Sequence, residues 1–444
     1  MNMTLKKKGV QATAERKTAI TPAEILVAAL ILLWLLVPTE VGDDAWFYST
    51  YTINFKGDMA AFLSFRYKTW STRLLLEAMT VLLVGVPILY KLVMPFCVLG
   101  VYASLSRLMG KRGRDTVGWA LCAAAMLMPM AMNLRAGYVC TTVNYVFTLA
   151  CLTTAVIPLA EGLRGKRISP LWYPLSILLT AVGCNMEYYC PPMIVACLLL
   201  IVLEIRRRRV PILSGILLVI AALSLYYALS SPASTLSSYE GAAAELFPGF
   251  DGLSAPEKLW AGLVSTAGGM LSTYRHGDSF LPGALALAVL LLLFGIERRP
   301  RTDRWVFFLP LLFTVLPCLL GHFSPEGSLL FTLFCDSDGG WLWSHPVTTA
   351  LAILYFSSIL YCLARVDRTL LALFAIALFC RITMGISRSL FASGLRTFYP
   401  LLFVVILATA QLVTKLCRFK KVGWVALAAP AALMLVMNLY GLLA

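Results

Sequence analysis

Charged residues and histidine are scarce in this sequence. Only 13% of its 444 residues are charged, and the three histidines, His276, His322 and His345, lie far apart. The chain also lacks GxxxxGKS/T, GxGxxG and HExxH motifs and any CxxC pair, so no pattern predicts a phosphate-binding loop or a metal site. These absences argue against a cytoplasmic ATPase and a zinc protease. No cofactor is predicted, and a requirement for a divalent cation is left open.

Apolar residues dominate instead. The chain is 60% hydrophobic with a mean hydropathy of +0.82, and its apolar runs recur from Ile20 to the last residue. A helix needs about 20 apolar residues to cross a bilayer, so this composition predicts an all-α, polytopic integral membrane protein. The first run, at about 19–38, leads into a polar loop without a small-residue cleavage pattern. It is predicted to be a retained first span rather than a signal peptide.

The basic residues form short clusters between the apolar runs. Lys and Arg stay preferentially with cytoplasmic loops and the anionic inner leaflet, so such clusters indicate topology. The net charge of +15 is therefore attributed to topology, and no nucleic-acid partner is predicted. The clusters are Lys6 to Lys8 with Arg16 and Lys17; Arg107, Lys111, Arg112 and Arg114; Arg164, Lys166 and Arg167; Arg206 to Arg209; Arg298, Arg299, Arg301 and Arg304; Arg365 and Arg368; Lys415, Arg418, Lys420 and Lys421.

Placing every cluster in the cytoplasm predicts about 13 spans in the plasma membrane. A tail at 1–18 is then cytoplasmic and the C-terminus lies outside. Residues 73–90 are apolar enough to cross, but a crossing would move the Lys111 cluster outside, so we expect a helix in the outer interface or a re-entrant segment. The predicted spans are about 19–38, 91–109, 116–134, 145–161, 170–186, 189–205, 210–230, 280–297, 304–320, 345–364, 368–386, 397–414 and 422–441.

Three larger segments fall on the outer side in this topology: 39–90, 231–279 and 321–344. They hold most of the acidic residues, and each mixes acids, aromatics and glycines. None is long enough to form a domain with its own core. We expect them to be lids or cavity walls over a single membrane domain that covers 1–444, with the outer face as the working side.

Five short stretches carry a resemblance to a known family. The first outer loop opens with "GDDAWF" (Gly42 to Phe47) and contains "WSTR" (Trp70 to Arg73). Later outer span ends carry "TTVNYVFTL" (Thr141 to Leu149), "NMEYYCPP" (Asn185 to Pro192) and "SRSLFASGLRTFYP" (Ser387 to Pro400). With the layout of spans, these stretches resemble the GT-C superfamily of membrane glycosyltransferases. They look closest to bacterial families grouped with Gtr-type O-antigen glucosyltransferases.

The resemblance implies that a sugar moves from a polyprenyl-phosphate carrier to a cell-surface glycan or polymer at the outer leaflet. An acceptor hydroxyl must lose its proton as it attacks the anomeric carbon, and a positioned carboxylate suits that task. Asp43 or Asp44 is therefore the expected base, and the pattern fits either position. The leaving phosphate needs cationic donors, of which Arg is the best suited. The expected phosphate contacts are Arg66, Lys68, Arg73, Arg388 and Arg396.

Other residues at the outer span ends have expected roles beside plainer interpretations. Trp side chains also populate the aromatic belt, basic residues contact lipid headgroups, and the acidic pair could be a solvated corner. Arg381 falls within a span, where a charge is costly, so it should serve the site or pair with Glu187 or Asp43. The residues expected to line the sugar or acceptor pocket are Trp46, Trp70, Asn144, Tyr145, Glu187 and His322.

Rival functions remain open at this stage. A transporter or flippase for a lipid-linked or anionic solute would place charges at mid-bilayer on paired discontinuous helices. An O-antigen polymerase or ligase would share large outer loops with essential Arg but would not need an acidic pair after the first span. A scaffold without chemistry is the fourth possibility. The transferase hypothesis expects Asp43 or Asp44 to face Arg388 or Arg396.

The predicted topology can be tested by thiol labelling. Cysteines introduced near Asp43, Ser237 and Gly339 should react with an impermeant thiol reagent applied from outside the cell. A cysteine at Gly165 should stay unlabelled, because it falls in a basic, cytoplasmic cluster. Labelling at Gly165 would reverse the orientation and remove the argument for an outer site.

Overall fold

The protein is described by a computed structural model in which every element is a helix. No strand occurs among the residues that the structure describes. Those residues are 22–109, 137–232, 249–272, 346–387 and 393–417, with shorter pieces at 127–128, 247, 285, 288, 306, 308–312, 389–390, 428–429, 431–436 and 438–439.

Thirteen α-helices lie within the longer of these described ranges. A π-helical turn, Thr50–Asn54, continues α2, and a 3-10 turn, Gly394–Phe398, leads into α13. The helices are α1 Pro22–Leu35, α2 Asp43–Ser49, α3 Met59–Thr69, α4 Leu74–Gly85, α5 Pro87–Leu108, α6 Tyr138–Leu163, α7 Trp172–Gly183, α8 Glu187–Arg206, α9 Ile212–Leu229, α10 Ala255–Ser272, α11 Pro346–Val366, α12 Arg368–Ile386 and α13 Arg396–Lys415.

Six of these helices are long and apolar enough to cross a membrane: α5, α6, α8, α9, α12 and α13. All six coincide with predicted spans, although α6 begins at Tyr138, seven residues before the predicted start. The full count of spans stays a prediction. The tail at 1–18, the outer segment 321–344, and all or most of the predicted spans 116–134, 280–297, 304–320 and 422–441 lie outside the described residues.

Helix α13 is the innermost of the six. Its most apolar stretch is entirely buried within the protein, whereas only 22% of the corresponding stretch in α9 is buried. A helix that is apolar around its whole circumference has no face that prefers solvent and is buried in the core of a bundle. The side chains from Leu401 to Val413 are all buried, which follows from this pattern. Arg396, at the start of α13, is therefore carried by the most enclosed helix.

Basic residues of the predicted cytoplasmic clusters lie at one end of the bundle, where several donate to backbone carbonyls. Arg164 donates to the carbonyls of Arg107 and Leu108, and Arg207 donates to that of Leu163. Lys415 Nζ donates to the Val366 carbonyl at 3.3 Å. The last carbonyls of a helix lack intrahelical partners and attract cations, so these contacts stabilise the helix C-termini. The opposite end, where α6 and α8 begin, contains the candidate site.

The apolar stretch after Arg73 forms a short helix of its own. Helix α4 has 12 residues and ends at Gly85, and α5 starts at Pro87. At 1.5 Å per residue, α4 is about 18 Å long, whereas a bilayer core is about 30 Å thick. Six of its residues are buried against other helices, so α4 packs onto the bundle instead of forming the first half of a longer span. Its placement in the outer interface stays a prediction.

Part of the expected external segment 231–279 is a well-packed helix. Ser254 begins α10 with a capping box, since its N–H and hydroxyl both donate to Glu257 Oε2 at 2.7 Å. Helix α10 then packs against α12 so closely that a Cβ on Gly262 would lie 2.0 Å from the Ile382 carbonyl oxygen. A Cβ on Gly385 would lie 1.8 Å from the Lys258 carbonyl oxygen. Only glycines allow this backbone contact, which the assignment of 231–279 as a loop did not anticipate.

A single carboxylate joins the first outer segment to α6. The N-cap of α6 is Gly137, which has no side chain to accept from the first N–H groups of the helix. Asp44 supplies that acceptor: Oδ2 accepts from Val139 N at 2.9 Å and Oδ1 from Cys140 N at 2.7 Å. A Cβ on Gly137, whose φ is +82°, would lie 2.6 Å from Asp44 Cγ, so glycine is required there. Asp44 is fully buried and acts as a cap supplied from another helix.

Replacing Asp44 should therefore reduce stability. In Asp44→Asn one amide N–H₂ faces a backbone donor and a hydrogen bond is lost, for which a helix-cap cost of about 1–2 kcal/mol is expected. Gly137→Ala should be destabilising as well, because its methyl group would overlap the carboxylate. Thermal unfolding of the detergent-solubilised protein at pH 7 measures both changes. An Asp44→Asn midpoint equal to that of the wild type would contradict the capping role.

The stability of the protein should also depend on pH through Asp44. Burial raises the pKa of Asp44 from 3.8 to about 7, and the backbone N–H groups of Cys140 and Val139 oppose that rise. Between these pH values the folded state keeps a proton that the unfolded state releases, so stability falls as pH rises through this window. As the pH is raised from about 4 to 7, the thermal unfolding midpoint of the wild type should fall. It should fall more steeply than the midpoint of Asp44→Asn. Equal slopes would contradict this assignment.

Candidate functional site

Two ion pairs meet where α2, α4, α8 and α13 come together. Arg396 Nη1 lies 3.5 Å from Asp43 Oδ2, and Arg73 Nε lies 3.6 Å from Glu187 Oε2. The Asp43 side chain is 52% exposed and that of Glu187 is 41% exposed, whereas both arginines are largely covered. Both guanidinium groups also interact electrostatically with the buried Tyr145. We call Asp43, Arg73, Glu187 and Arg396 the mouth cluster.

Local structure positions each member of the mouth cluster. Asp43 is the first residue of α2, where a carboxylate interacts favourably with the helix dipole. Arg396 is the first residue of α13 and belongs to the 3-10 turn, Gly394–Phe398, that leads into it. Arg73 is held by the Ser71 hydroxyl, which lies 3.1 Å from both its backbone N and its Nε. Glu187 starts the 3-10 turn that opens α8. All four therefore lie at or just before a helix start.

Tyrosines form the floor beneath the mouth cluster. The Tyr145 ring is stacked with Tyr399 at 6.3 Å and meets Tyr188 edge-on at 5.9 Å. The Tyr188 hydroxyl donates to the Thr397 carbonyl at 2.8 Å, and the Tyr189 hydroxyl donates to the Tyr145 carbonyl at 2.7 Å. Tyr145 is seven residues into α6, about 10 Å along the helix axis from its start. Tyr145 thus lies about two helical turns beyond the first residue of α6.

Asn144 lies beside this floor within a π-helical turn. The turn, Val143–Phe147, interrupts α6, and such turns occur frequently at functional sites. Asn144 Nδ2 lies 3.5 Å from Cys140 Sγ, and its buried Oδ1 has no hydrogen-bond partner among the described residues. A buried, unpaired acceptor is uncommon in proteins and is available to a ligand hydroxyl.

A buried arginine lies on the far side of the tyrosine floor. The Arg381 guanidinium packs against the Phe398 ring, 4.3 Å from its centroid, and Nη2 donates to Ser265 Oγ at 3.0 Å. Arg381 is 2% exposed and interacts electrostatically with Tyr188 and Tyr145. The expected pairing with Glu187 or Asp43 is not seen, because those carboxylates pair with Arg73 and Arg396.

Arg66, expected to contact a phosphate, is committed to the protein itself. Its Nε and Nη2 donate to both oxygens of Glu77, at 2.6 and 2.9 Å, and both side chains are buried. The Arg66 guanidinium also lies 5.0 Å from the Trp46 ring centroid and 6.0 Å from that of Trp70. A bidentate buried pair leaves little capacity for another anion, so Arg66 holds α3 to α4.

The expected pocket residues Trp46 and Trp70 cover this ion pair from outside. Their side chains are 44% and 41% exposed, so each presents one open face. Lys68 is exposed on α3. Arg388 and His322, which were also expected at the site, lie outside the described residues. The structure therefore brings together Asp43, Arg73, Tyr145, Glu187 and Arg396, with Asn144 beside them, and places Asp44 and Arg66 in structural contacts.

Ser265 was missed by the sequence analysis, because 231–279 was assigned to an external segment. The signal was present: Ser254 is followed three residues later by Glu257, a capping-box pattern that starts a helix. Among the described residues there is no group of three or more His, Cys, Asp or Glu side chains suited to a metal ion.

Comparison with known proteins leaves the residues themselves as the basis for any assignment. No protein-family model, no curated protein and no solved structure matches this chain. The resemblance to GT-C glycosyltransferases therefore stays a hypothesis that rests on the stretches quoted above and on the geometry of the mouth cluster.

Proposed function

We propose that this protein transfers a sugar from a polyprenyl-phosphate donor to a glycan acceptor at the outer face of the membrane. The observation that carries this proposal is the pairing of a half-exposed carboxylate, Asp43, with Arg396, which lies three residues before Tyr399 in the group of buried tyrosines. A transferase of this kind needs a base for the acceptor hydroxyl close to a cation for the leaving phosphate. The mouth cluster offers both.

Asp43 is the proposed base, and Asp44 is not. Asp44 is buried and accepts two backbone hydrogen bonds, so it cannot reach an acceptor without releasing α6. Asp43 is accessible, and its contact with Arg396 is a single pair at 3.5 Å that a substrate could rearrange. Partly exposed ion pairs of this kind are worth only about 0–1 kcal/mol. Of the two adjacent carboxylates, Asp44 has a structural role and Asp43 the proposed catalytic role.

The proposed reaction balances without a further reactant. The acceptor hydroxyl oxygen forms a bond to the anomeric carbon as the bond from that carbon to the carrier phosphate breaks. The hydroxyl proton passes to Asp43, and the electron pair of the broken bond stays with the phosphate. Arg396 and Arg73 are placed to stabilise the phosphate, and Arg396 Nε has no hydrogen-bond partner among the described residues.

Polar residues next to Asp43 and Arg396 suit a neutral, hydroxyl-rich acceptor. The Asn144 Oδ1, which has no hydrogen-bond partner among the described residues, can accept from a sugar hydroxyl. Glu187, which is 41% exposed at the mouth, can accept another. Trp46 and Trp70 each have an exposed ring face, and such amphipathic rings favour the membrane interface.

A flippase or transporter of an anionic solute is the second candidate. It is favoured by Arg381, because a buried cation without a carboxylate partner could form part of an anion pathway. Such a protein would move a labelled lipid-linked solute across proteoliposomes without forming a glycosidic bond. Transport without transfer would therefore decide for this candidate.

Transfer activity should depend on Asp43 and not on the exposed carboxylate of Glu40. Asp43→Asn preserves shape and removes basicity, so the rate of transfer from a radiolabelled polyprenyl-phosphate hexose should fall by roughly 10²–10⁴-fold. Glu40→Gln removes another exposed carboxylate three residues earlier and serves as the matched control, with activity near that of the wild type. Wild-type transfer rates in Asp43→Asn would remove the main support for the proposed function.

Replacing Arg396 should have a different kinetic signature. A phosphate contact acts in both the ground and the transition state, so Arg396→Gln should weaken donor binding and also lower turnover. Asp43→Asn should instead leave donor KM nearly unchanged, because the base acts on the acceptor. Steady-state kinetics over a range of donor concentrations separate the two effects, and an unchanged donor KM in Arg396→Gln would exclude its phosphate contact.

A further inference from the structure

Arg381 is the largest fully buried side chain in the described part of the protein. It lies in α12, five residues before the end of that helix at Ile386. A buried cation in an apolar bundle costs several kcal/mol unless it is paired, so proteins usually provide a carboxylate beside it. Arg66 shows the usual solution, with Glu77 bound at both oxygens.

Among the described residues, Arg381 has no carboxylate partner of this kind. Its contacts are one hydrogen bond to the Ser265 hydroxyl and the face of the Phe398 ring. Neither group carries a negative charge. Among the residues that the structure describes, Nε and Nη1 have no hydrogen-bond partner and no carboxylate forms an ion pair with Arg381. Within that part of the chain, two guanidinium nitrogens and the positive charge are therefore left without a partner.

The surroundings hold this guanidinium in a fixed place. Gly262 and Gly385 bring α10 into backbone contact with α12, which positions Ser265 against Arg381. A Cβ on Gly269 would lie 2.3 Å from the Phe398 ring, so glycine there gives room for the ring that covers Arg381. A fixed donor needs little reorganisation when an anion binds.

Arg381 is connected to the mouth cluster through the segment from Arg396 to Phe398. Phe398 is two residues after Arg396 in the same 3-10 turn, and Tyr188, which interacts with Arg381, donates to the Thr397 carbonyl between them. The short segment from Arg396 to Phe398 therefore holds one arginine at the mouth and covers another in the interior. The inner arginine has the greater unmet demand for negative charge.

We infer that Arg381, with Ser265 beside it, is a phosphate-binding group at the inner end of the site. A phosphate oxygen satisfies the unpaired N–H groups and neutralises the buried charge. The phosphate would come either from a lipid headgroup or from a soluble phosphate. Identifying the lipid with a sugar donor rests on the proposed function, whereas the anion site itself rests on Arg381 alone.

Binding measurements with a short polyprenyl monophosphate test this inference. Farnesyl phosphate, inorganic phosphate and farnesol are titrated into the purified full-length protein, as wild type and as Arg381→Gln. The affinity for farnesyl phosphate should fall by roughly 10- to 100-fold in the variant, because charged hydrogen bonds are lost. Farnesol should bind both proteins equally. Inorganic phosphate that binds the wild type as tightly as farnesyl phosphate would identify a soluble source for the same group.

Thermal unfolding without ligand separates binding from a structural role. Arg381→Gln should not lower the midpoint, since it removes an unpaired buried charge. The matched control, Arg66→Gln, should lower the midpoint because it leaves Glu77 unpaired, and its affinity for farnesyl phosphate should match the wild type. A lowered midpoint with unchanged affinity in Arg381→Gln would overturn the inference. Should that variant fail to fold, Ser265→Ala must weaken phosphate binding for the inference to stand.

The same variants distinguish this inference from the proposed function. Arg381-dependent binding of farnesyl phosphate in a protein that transfers no sugar would keep the phosphate site and remove the transferase. Sugar transfer with an unchanged donor KM in Arg381→Gln would keep the transferase and remove the phosphate site.

Discussion

The hydrogen bonds from Val139 and Cys140 to the buried Asp44 carboxylate fix the geometry of the whole site. They join the first outer segment to the start of α6 and so determine how α2 lies on the bundle. Adjacent residues of a helix point about 100° apart, so burying Asp44 turns Asp43 away from the core. Asp43 then meets Arg396 at the start of the most enclosed helix. The Asp44 cap thus places the candidate base where it meets its cationic partner.

The sequence predicted the broad architecture because the information is local. Span positions follow from apolar runs, and α12 was predicted with the bounds that the structure gives it. The gathering of basic residues at one end follows from their position between those runs. Helix α10 was missed because its first turn includes the charged residues Glu257 and Lys258, and because its packing depends on contact with Gly385, more than a hundred residues later.

The division of roles among like residues could not be predicted from the sequence. Asp43 and Asp44 are neighbours of the same type, and only the position of Gly137 shows which one caps α6. Arg66 and Arg73 both looked like interfacial cations. Arg66 pairs with Glu77, eleven residues later, whereas Arg73 reaches Glu187 across the bundle. These differences arise from tertiary contacts, which the spacing of charges along the chain does not specify.

The charges of the site are arranged as a gradient, and the gradient bears on the proposed chemistry. At the mouth, Arg396 and Arg73 are each balanced by a carboxylate, so that region is close to neutral. No carboxylate in the described part of the chain balances Arg381 in the same way. An anion therefore gains most by binding at Arg381, while a neutral acceptor can approach the exposed Asp43.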